Sequence, residues 1–258
     1  MDGTITPARK PMKKDMMLAL RDLQWADYEI GIVTGSDMNY LIDQCDILFG
    51  LNGYQFHKTH YLPCNGTKYY KYNESGSLST VYENDMIEAI GKQTYRAVIQ
   101  SCIDIQKHII DTTNCPLTGN FFDYRGSTLN WCPIGRLAKK DERDAWLKID
   151  INNKFRLKWI NHLKEELKKK GVNNIEIKLG GETSFDIHPK GWDKTYCLKN
   201  FKEYNEIIFI GDRCFDNGND KELYDTIIKH SIGKAYQTKD PENTIEIIKE
   251  YINEARRR

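Results

Sequence analysis

The sequence predicts an α/β protein: a parallel-sheet core interrupted by an inserted α+β cap domain. Strand, tight turn and helix follow one another at residues 28–48 and again at 207–255, with a middle of different character between them. The same grammar at both ends is the trace that one sheet core with an insertion leaves in a chain. Three expected strand ends also carry acids or hydroxyls, Asp2-Gly-Thr-Ile-Thr6, Thr34-Gly-Ser-Asp37 and Gly211-Asp212. Open parallel sheets bind ligands outside the carboxyl ends of their strands. The core is expected over residues 1–79 and 189–258 and the cap over 80–188.

The elements follow in order. From Lys13 to Trp25, Met17, Leu20 and Leu23 recur at helical spacing. Tyr28 to Thr34 is a short apolar, β-branched run and reads as a buried strand. Gly35-Ser36-Asp37 turns it into a helix with Leu41, Ile42, Cys45 and Leu48 on one side. Asn65 to Ser79, rich in Gly, Ser, Asn and Tyr, reads as hairpin and linker. One long helix is expected from Asn84 to Ile110, and β-leaning residues follow from Phe121 to Pro133. A further helix, Lys154 to Lys170, has Phe155, Trp159, Ile160, Leu163 and Leu167 as its apolar stripe and Gly171 as its stop. Its terminal Lys168-Lys169-Lys170 suits the helix dipole as a solvated end. Ile207 to Asp212 is a buried strand ending in an acid, Ile232 to Thr238 another strand, and Asp240-Pro241-Glu242 caps a last helix to Ala255.

Composition narrows the function classes. Hydrophobic residues are 40% and charged residues 29%, which is globular composition, and the net charge of +1 gives no whole-protein case for binding nucleic acid or an acidic membrane. The longest apolar runs cannot span a bilayer. Met1-Asp2 opens no basic-then-apolar leader, and the seven cysteines form no C-x-x-C pair, so reduced thiols in a cytoplasm-like compartment are expected. His57-x-x-His60 is the nearest approach to a metal spacing, and it has no cysteine at ligand distance.

The three strand ends suit an Mg²⁺-phosphate site. Ser36 stands at a helix N-terminus, where N–H groups and a hydroxyl can hold phosphate oxygen. Asp212 offers hard oxygen to Mg²⁺, with Asn219 and Asp220 close in sequence. Each taken alone is a common turn or cap; their order carries the reading.

In that order the motifs resemble those of haloacid dehalogenase-like (HAD) phosphotransferases. The family pattern is Asp-x-Asp-Gly-Thr, then a Ser or Thr closing a strand, then a Lys, then Gly-Asp with further acids. Lys194 of Gly191-Trp-Asp-Lys194 fills the third place. The likeness narrows in Thr6-Pro-Ala-Arg9, in Tyr124-Arg-Gly-Ser-Thr-Leu-Asn-Trp-Cys-Pro-Ile-Gly-Arg136 followed by Arg143, in Gly180-Gly-Glu-Thr-Ser-Phe-Asp-Ile-His-Pro to Leu198, and in Phe209-Ile-Gly-Asp-Arg-Cys-Phe-Asp-Asn-Gly-Asn-Asp220. These segments span nearly the whole chain and resemble the eukaryotic-type phosphomannomutases, with Asn217 where the pattern has a second Gly.

The resemblance implies a HAD-like Rossmannoid core with a cap, and an enzyme interconverting mannose 6-phosphate and mannose 1-phosphate for GDP-mannose synthesis. The route is through a phospho-aspartate, with Mg²⁺ as cofactor and hexose 1,6-bisphosphate as primer. It makes Asp2 the acid/base and a metal ligand, with Asp212, Asn219 and Asp220 completing the metal set. Ser36 and Lys194 hold the phosphoryl group; Arg9, Arg125, Arg136 and Arg143 hold phosphates; Ser184 and Asp186 meet sugar hydroxyls. Guanidinium forks suit phosphate because they bind it bidentately and stay charged. A homodimer through the cap is implied as well.

In this sequence Asp2 is the second Asp of Asp-x-Asp and Met1 fills the "x". The attacking Asp and its strand would precede Met1, so the sequence taken literally predicts little mutase activity and a sheet short of one central strand. A start further upstream restores the enzyme; a genuine truncation gives a sugar-phosphate binder without catalysis. A HAD sugar phosphatase is the remaining alternative. Tyr224-Asp-Thr-Ile-Ile matches the family's second-cation loop poorly and leaves that cation open.

Overall fold

The computed structural model describes residues 1–50, 52–216 and 218–257. In chain order it comprises α1 (Lys14–Trp25), β1 (Ile30–Val33), α2 (Met38–Cys45), β2 (Thr59–Leu62), β3 (Lys68–Tyr72), β4 (Leu78–Glu83), α3 (Met86–Ile90), α4 (Lys92–Thr112), β5 (Phe122–Tyr124), β6 (Leu129–Trp131), α5 (Lys140–Asn153) and α6 (Phe155–Lys169). Then come β7 (Ile175–Gly180), β8 (Ser184–Pro189), a 3-10 turn (Lys194–Asn200), β9 (Ile207–Gly211), α7 (Lys221–Lys229), β10 (Gly233–Gln237) and α8 (Pro241–Ala255). The chain divides into two compact units, one of Met1–Glu83 with Trp192–Arg258, the other Asn84–Gly191.

In the discontinuous unit, β1 and β2 run parallel, and β3 and β4 add antiparallel neighbours to give the order β1-β2-β3-β4. β9 and β10 form a separate parallel pair. The apolar run Ile207 to Ile210 of β9 is accordingly only partly buried. α1 and α8 bury Met16, Leu20, Ile248 and Ile252 in one cluster with Ile30, Ile32, Leu41 and Tyr61. Leu223 and Ile227 of α7 close a second cluster with Leu62 and Cys197.

The inserted unit has one antiparallel sheet of order β5-β6-β8-β7. Strand alternation divides it by face. Phe122, Trp131, Phe185 and Leu179 form one cross-strand row, and Tyr124, Leu129, Ile187 and Ile177 another. Between these rows, on the opposite face, lie Asp123, Asn130, Asp186 and Lys178. Trp131 stacks on Phe185 at 4.8 Å between ring centres, and both are fully buried. On α5 and α6, Trp146, Phe155 and Trp159 stack within 6.1 Å of one another.

Several expectations change. The units part at 83/84 and 191/192: the hairpin expected within 65–79 is β3–β4, and it runs on to Glu83, which pairs with Lys68, where a linker was expected. The helix expected over 84–110 is two helices, broken at Gly91, whose φ of 82° and ψ of 148° are outside any helix. β2, α5, β7, β8 and α7 were not foreseen, and α7 contains the Tyr224 to Ile228 stretch read as a poor cation loop. One lysine of the 168–170 run is more than a solvated end: Lys170 Nζ donates to Ser101 Oγ of α4 at 2.8 Å.

Candidate active site

The segment Met1 to Thr6 is a tight turn in which the N–H groups of Thr4, Ile5 and Thr6 all donate to the carbonyl of Met1. Gly3 takes a φ of +78°, and a Cβ there would stand 2.6 Å from Asp212 Oδ2. Only glycine lets the Asp212 carboxylate lie against this loop. Thr4 Oγ1 donates to Asp212 Oδ1 at 3.0 Å, tying the end of β9 to the turn.

Asp2 is half-buried. Its Oδ1 accepts from the backbone N–H of Arg9 at 3.1 Å and from Thr6 Oγ1 at 3.3 Å. The Tyr40 hydroxyl of α2 lies 3.1 and 3.0 Å from its two oxygens. Burial, and next the Asp2 charge, push the Tyr40 phenol well above its ordinary value, so it remains a donor. Arg9 reaches Asp2 through its backbone, and its side chain is exposed.

Lys194 and Asp220 form a buried ion pair, Nζ to Oδ1 2.5 Å, and Asp220 Oδ2 accepts from the Arg213 N–H at 3.1 Å. Burial alone would raise the Asp220 pKa; the Lys194 ammonium outweighs it and holds the acid at about 2. Met1 is buried, and burial first and the Lys194 charge next lower the pKa of its amino group, while Asp220, Asp212 and Asp2 raise it. Ser36 is half-buried beyond β1, with its N–H on Thr34 Oγ1 and its carbonyl on Cys64 N. Asp37, not Ser36, caps α2.

Asp220, expected as a metal ligand, pairs with Lys194 through Oδ1 and accepts from the Arg213 N–H through Oδ2. Asn219 is half-buried in the turn before α7. Asn217 lies outside the described residues. Among the described residues, no three His, Cys, Asp or Glu side chains gather closely enough to share an ion. Mg²⁺ commonly binds through one or two carboxylates and completes its shell with substrate phosphate and water. Asp2 and Asp212 fit that chemistry, since Gly3 lets the second carboxylate close on the loop that carries the first. His60 offers no metal site: it is buried, with Tyr69 OH at 2.7 Å from Nδ1 and Glu29 Oε2 at 2.8 Å from Nε2.

The inserted unit brings together most of the remaining predicted residues. Arg125 Nε donates to Asp123 Oδ2 at 3.0 Å, and Arg136 Nη1 lies 3.5 Å from the same oxygen. Arg136 Nη1 also donates to Asn130 Oδ1 at 2.7 Å. Asn130 Nδ2 donates to Asp186 Oδ1 at 2.7 Å and to Ser184 Oγ at 3.0 Å. Arg143 stands apart on α5, donating through Nη1 to the Ala138 carbonyl at 2.9 Å. Sequence reasoning gave no role to Thr4, Tyr40, Asp123, Asn130 or Lys178. Asn130 did carry a signal, a polar residue between Leu129 and Trp131 in a β-leaning run; Tyr40 carried none.

Asp2 in the first turn, Asp212 at the end of β9 and the buried Lys194 in one unit, and guanidiniums on the sheet of the other, are groups suited to phosphate within an α/β protein. Solved structures show the fold to be HAD-like. An IMP-nucleotidase from Plasmodium falciparum superposes with a TM-score of 0.65 at 16% identity, over 98% of this chain and 65% of that one. A trehalose-6-phosphate phosphatase related protein gives 0.55 at 14%, over 100% and 97%. The eukaryotic phosphomannomutase family matches residues 16–254. A phosphomannomutase from Dendrobium officinale is 31% identical over 93% of this chain and 87% of its own length. Phosphomannomutase 2 of Dictyostelium discoideum is 32% identical over 97% and 93%. The chain belongs to the eukaryotic phosphomannomutase family.

Proposed function

We propose that the chain acts as a phosphomannomutase, interconverting mannose 6-phosphate and mannose 1-phosphate through a hexose 1,6-bisphosphate and so feeding GDP-mannose synthesis. The observation that carries the reading beyond family membership is the single polar sheet face on which Arg125, Arg136, Ser184 and Asp186 meet. A hexose bisphosphate has two anionic ends. The chain has two sets of groups suited to phosphate, one in each unit.

In this reading Asp2 gives a proton to the leaving sugar oxygen and takes one from the accepting hydroxyl. Tyr40, Thr6 and the Arg9 N–H hold its carboxylate in place. The Lys194 ammonium, fixed by Asp220, would hold phosphoryl oxygen, as would Ser36. Asp2 and Asp212 would hold Mg²⁺, which supplies charge neutralisation to the transferring group. The carboxylate that takes the phosphoryl group in the family pattern falls one position ahead of Met1.

The test is the conversion of mannose 1-phosphate with and without a hexose 1,6-bisphosphate primer, in the presence of Mg²⁺. Primer-dependent mannose 6-phosphate is expected where the family's first Asp stands ahead of Met1, and binding of mannose 6-phosphate without turnover where it does not; free phosphate without isomerisation would overturn the mutase in favour of a phosphatase. An Arg136→Ala variant is expected to bind mannose 6-phosphate about tenfold or more weakly, since a charge-assisted fork is lost. We also propose a homodimer seated on the inserted unit, in a cytoplasmic setting. Ile103 and Ile110, a heptad apart on α4 and both exposed, favour that seam, and light scattering of the Ile103→Asp variant tests it. No helix among the described residues is long and apolar enough to cross a membrane.

A further inference from the structure

We infer that Asn130 is a positioning residue that couples phosphate binding to hydroxyl binding on the inserted sheet, an inference that rests on the sugar-phosphate reading above. Asn130 is 3% exposed and lies in the middle of the polar row. Its Oδ1 accepts from Arg136 Nη1 at 2.7 Å. Its Nδ2 donates to Asp186 Oδ1 at 2.7 Å, to Ser184 Oγ at 3.0 Å and to the Phe185 carbonyl at 3.3 Å. Ser184 Oγ in turn donates to the Gly180 carbonyl at 2.6 Å, so toward Asn130 it accepts.

The partners fix which way the amide faces. Turned over, it would set NH₂ against a guanidinium and oxygen against a carboxylate, and both contacts would repel. One planar group therefore sets the spacing between a cation suited to phosphate and a carboxylate suited to sugar hydroxyls. Buried amide networks of this kind, fully satisfied, hold their members in a single arrangement. Aspartate at this position would still accept from Arg136 but could no longer donate to Asp186. Two carboxylates would then face each other, and one would have to take a proton. The charged groups around the pair are Arg136, Asp123 on β5 with Arg125 upon it, Lys178 on β7, and Arg156 of α6, which reaches the Ser184 carbonyl at 3.5 Å.

The test compares wild type and Asn130→Asp by calorimetry with inorganic phosphate and with mannose 6-phosphate. Each variant is read against wild type at the same pH, because phosphate itself titrates. At about pH 8, with both carboxylates charged, the variant is expected to bind inorganic phosphate more weakly by about threefold, since the new charge lies on Arg136, and mannose 6-phosphate more weakly by at least about a further tenfold, the loss of one charged hydrogen-bond partner. The deficit should shrink toward about pH 6 as the paired carboxylates share a proton. Equal loss for both ligands, or a deficit independent of pH, would reduce Asn130 to a merely structural residue and overturn the inference. If Asn130→Asp does not melt cooperatively, Asn130→Ser takes its place, with the same selective loss expected and unchanged mannose 6-phosphate affinity overturning it. Wild type that binds no hexose phosphate overturns the functional reading and this inference with it. Wild type that binds, beside a folded variant that binds equally well, overturns the inference alone.

Discussion

Asp220 illustrates at the scale of one residue how a charge is kept inside the protein. Its carboxylate lies between Lys194 and the Arg213 N–H, and its pKa is held at about 2 from an ordinary 3.8. A folded value below the unfolded one contributes stability that is full above the unfolded pKa and is lost as pH falls through the folded one. Asp220→Asn should therefore cost about 2–4 kcal/mol near neutral pH, chiefly by leaving Lys194 buried without its countercharge. The gap should narrow between about pH 4 and about pH 2 as wild-type Asp220 takes its proton. Urea unfolding at several pH values reads it, and a constant gap would mean that the charge is not what matters. Tyr40 bears on the proposed chemistry instead, through its contact with Asp2. Tyr40→Phe removes a donor to Asp2, and with a charged hydrogen bond worth about 1.5–3 kcal/mol, kcat should fall roughly tenfold or more. An unchanged kcat would remove Tyr40 from the orientation of Asp2. No sequence pattern announced this contact, because 38 residues separate the two and only the seating of α2 beside the first turn joins them.

At the scale of elements, legibility followed periodicity. α1, α6 and α8 have clear apolar stripes, α8 with Asp240 as its cap, and each was placed within about a residue or two. β2 escaped because four residues, Thr59 to Leu62, are too few to show a period, and His60 drew the eye to metals. α5 escaped because its surface is mostly charged and it buries little beyond Trp146 and Asp150. The hairpin β3–β4 was legible, but its second strand was ended too early because β4 is almost wholly exposed. Gly91 is the clearest case of a local residue overruling a long pattern. The periodicity runs on through residues 84–110, yet Gly91 turns the chain between α3 and α4 in a region of φ and ψ that is nearly glycine's alone. Nothing lies within 4 Å of where a Cβ would sit, so a substitution there meets backbone strain and no clash. Gly91→Ala should destabilise the protein by about 1–3 kcal/mol. A urea midpoint equal to wild type would show that the α3–α4 corner relaxes freely.

At the scale of the molecule, the two units were legible as a pattern of sheet grammar broken and resumed, but their edges were not, since an exposed strand and a linker share a composition. What the inserted unit contains has a further consequence. Asn84–Gly191 is one continuous stretch with its own four-stranded sheet. Trp131, Phe185, Leu129 and Ile187 from that sheet are fully buried, as are Ile105, Ile109 and Leu163 from α4 and α6. Asp150 and Arg156, paired at 2.6 Å, are nearly buried within the same stretch. A segment of this size with a closed apolar core lies in the range where single domains fold alone. The other unit is made of two chain segments and must bring its ends together across the insertion. A fragment of residues 84–191 is therefore expected to unfold cooperatively in urea, with near-ultraviolet dichroism from the Trp146, Phe155 and Trp159 stack lost in the same transition as the helical signal. Its three cysteines, Cys102, Cys115 and Cys132, are buried and should react with a thiol reagent only as that transition proceeds. A fragment that keeps helix but exposes its thiols without denaturant, with no near-ultraviolet signal, would show that this core is completed only within the whole chain.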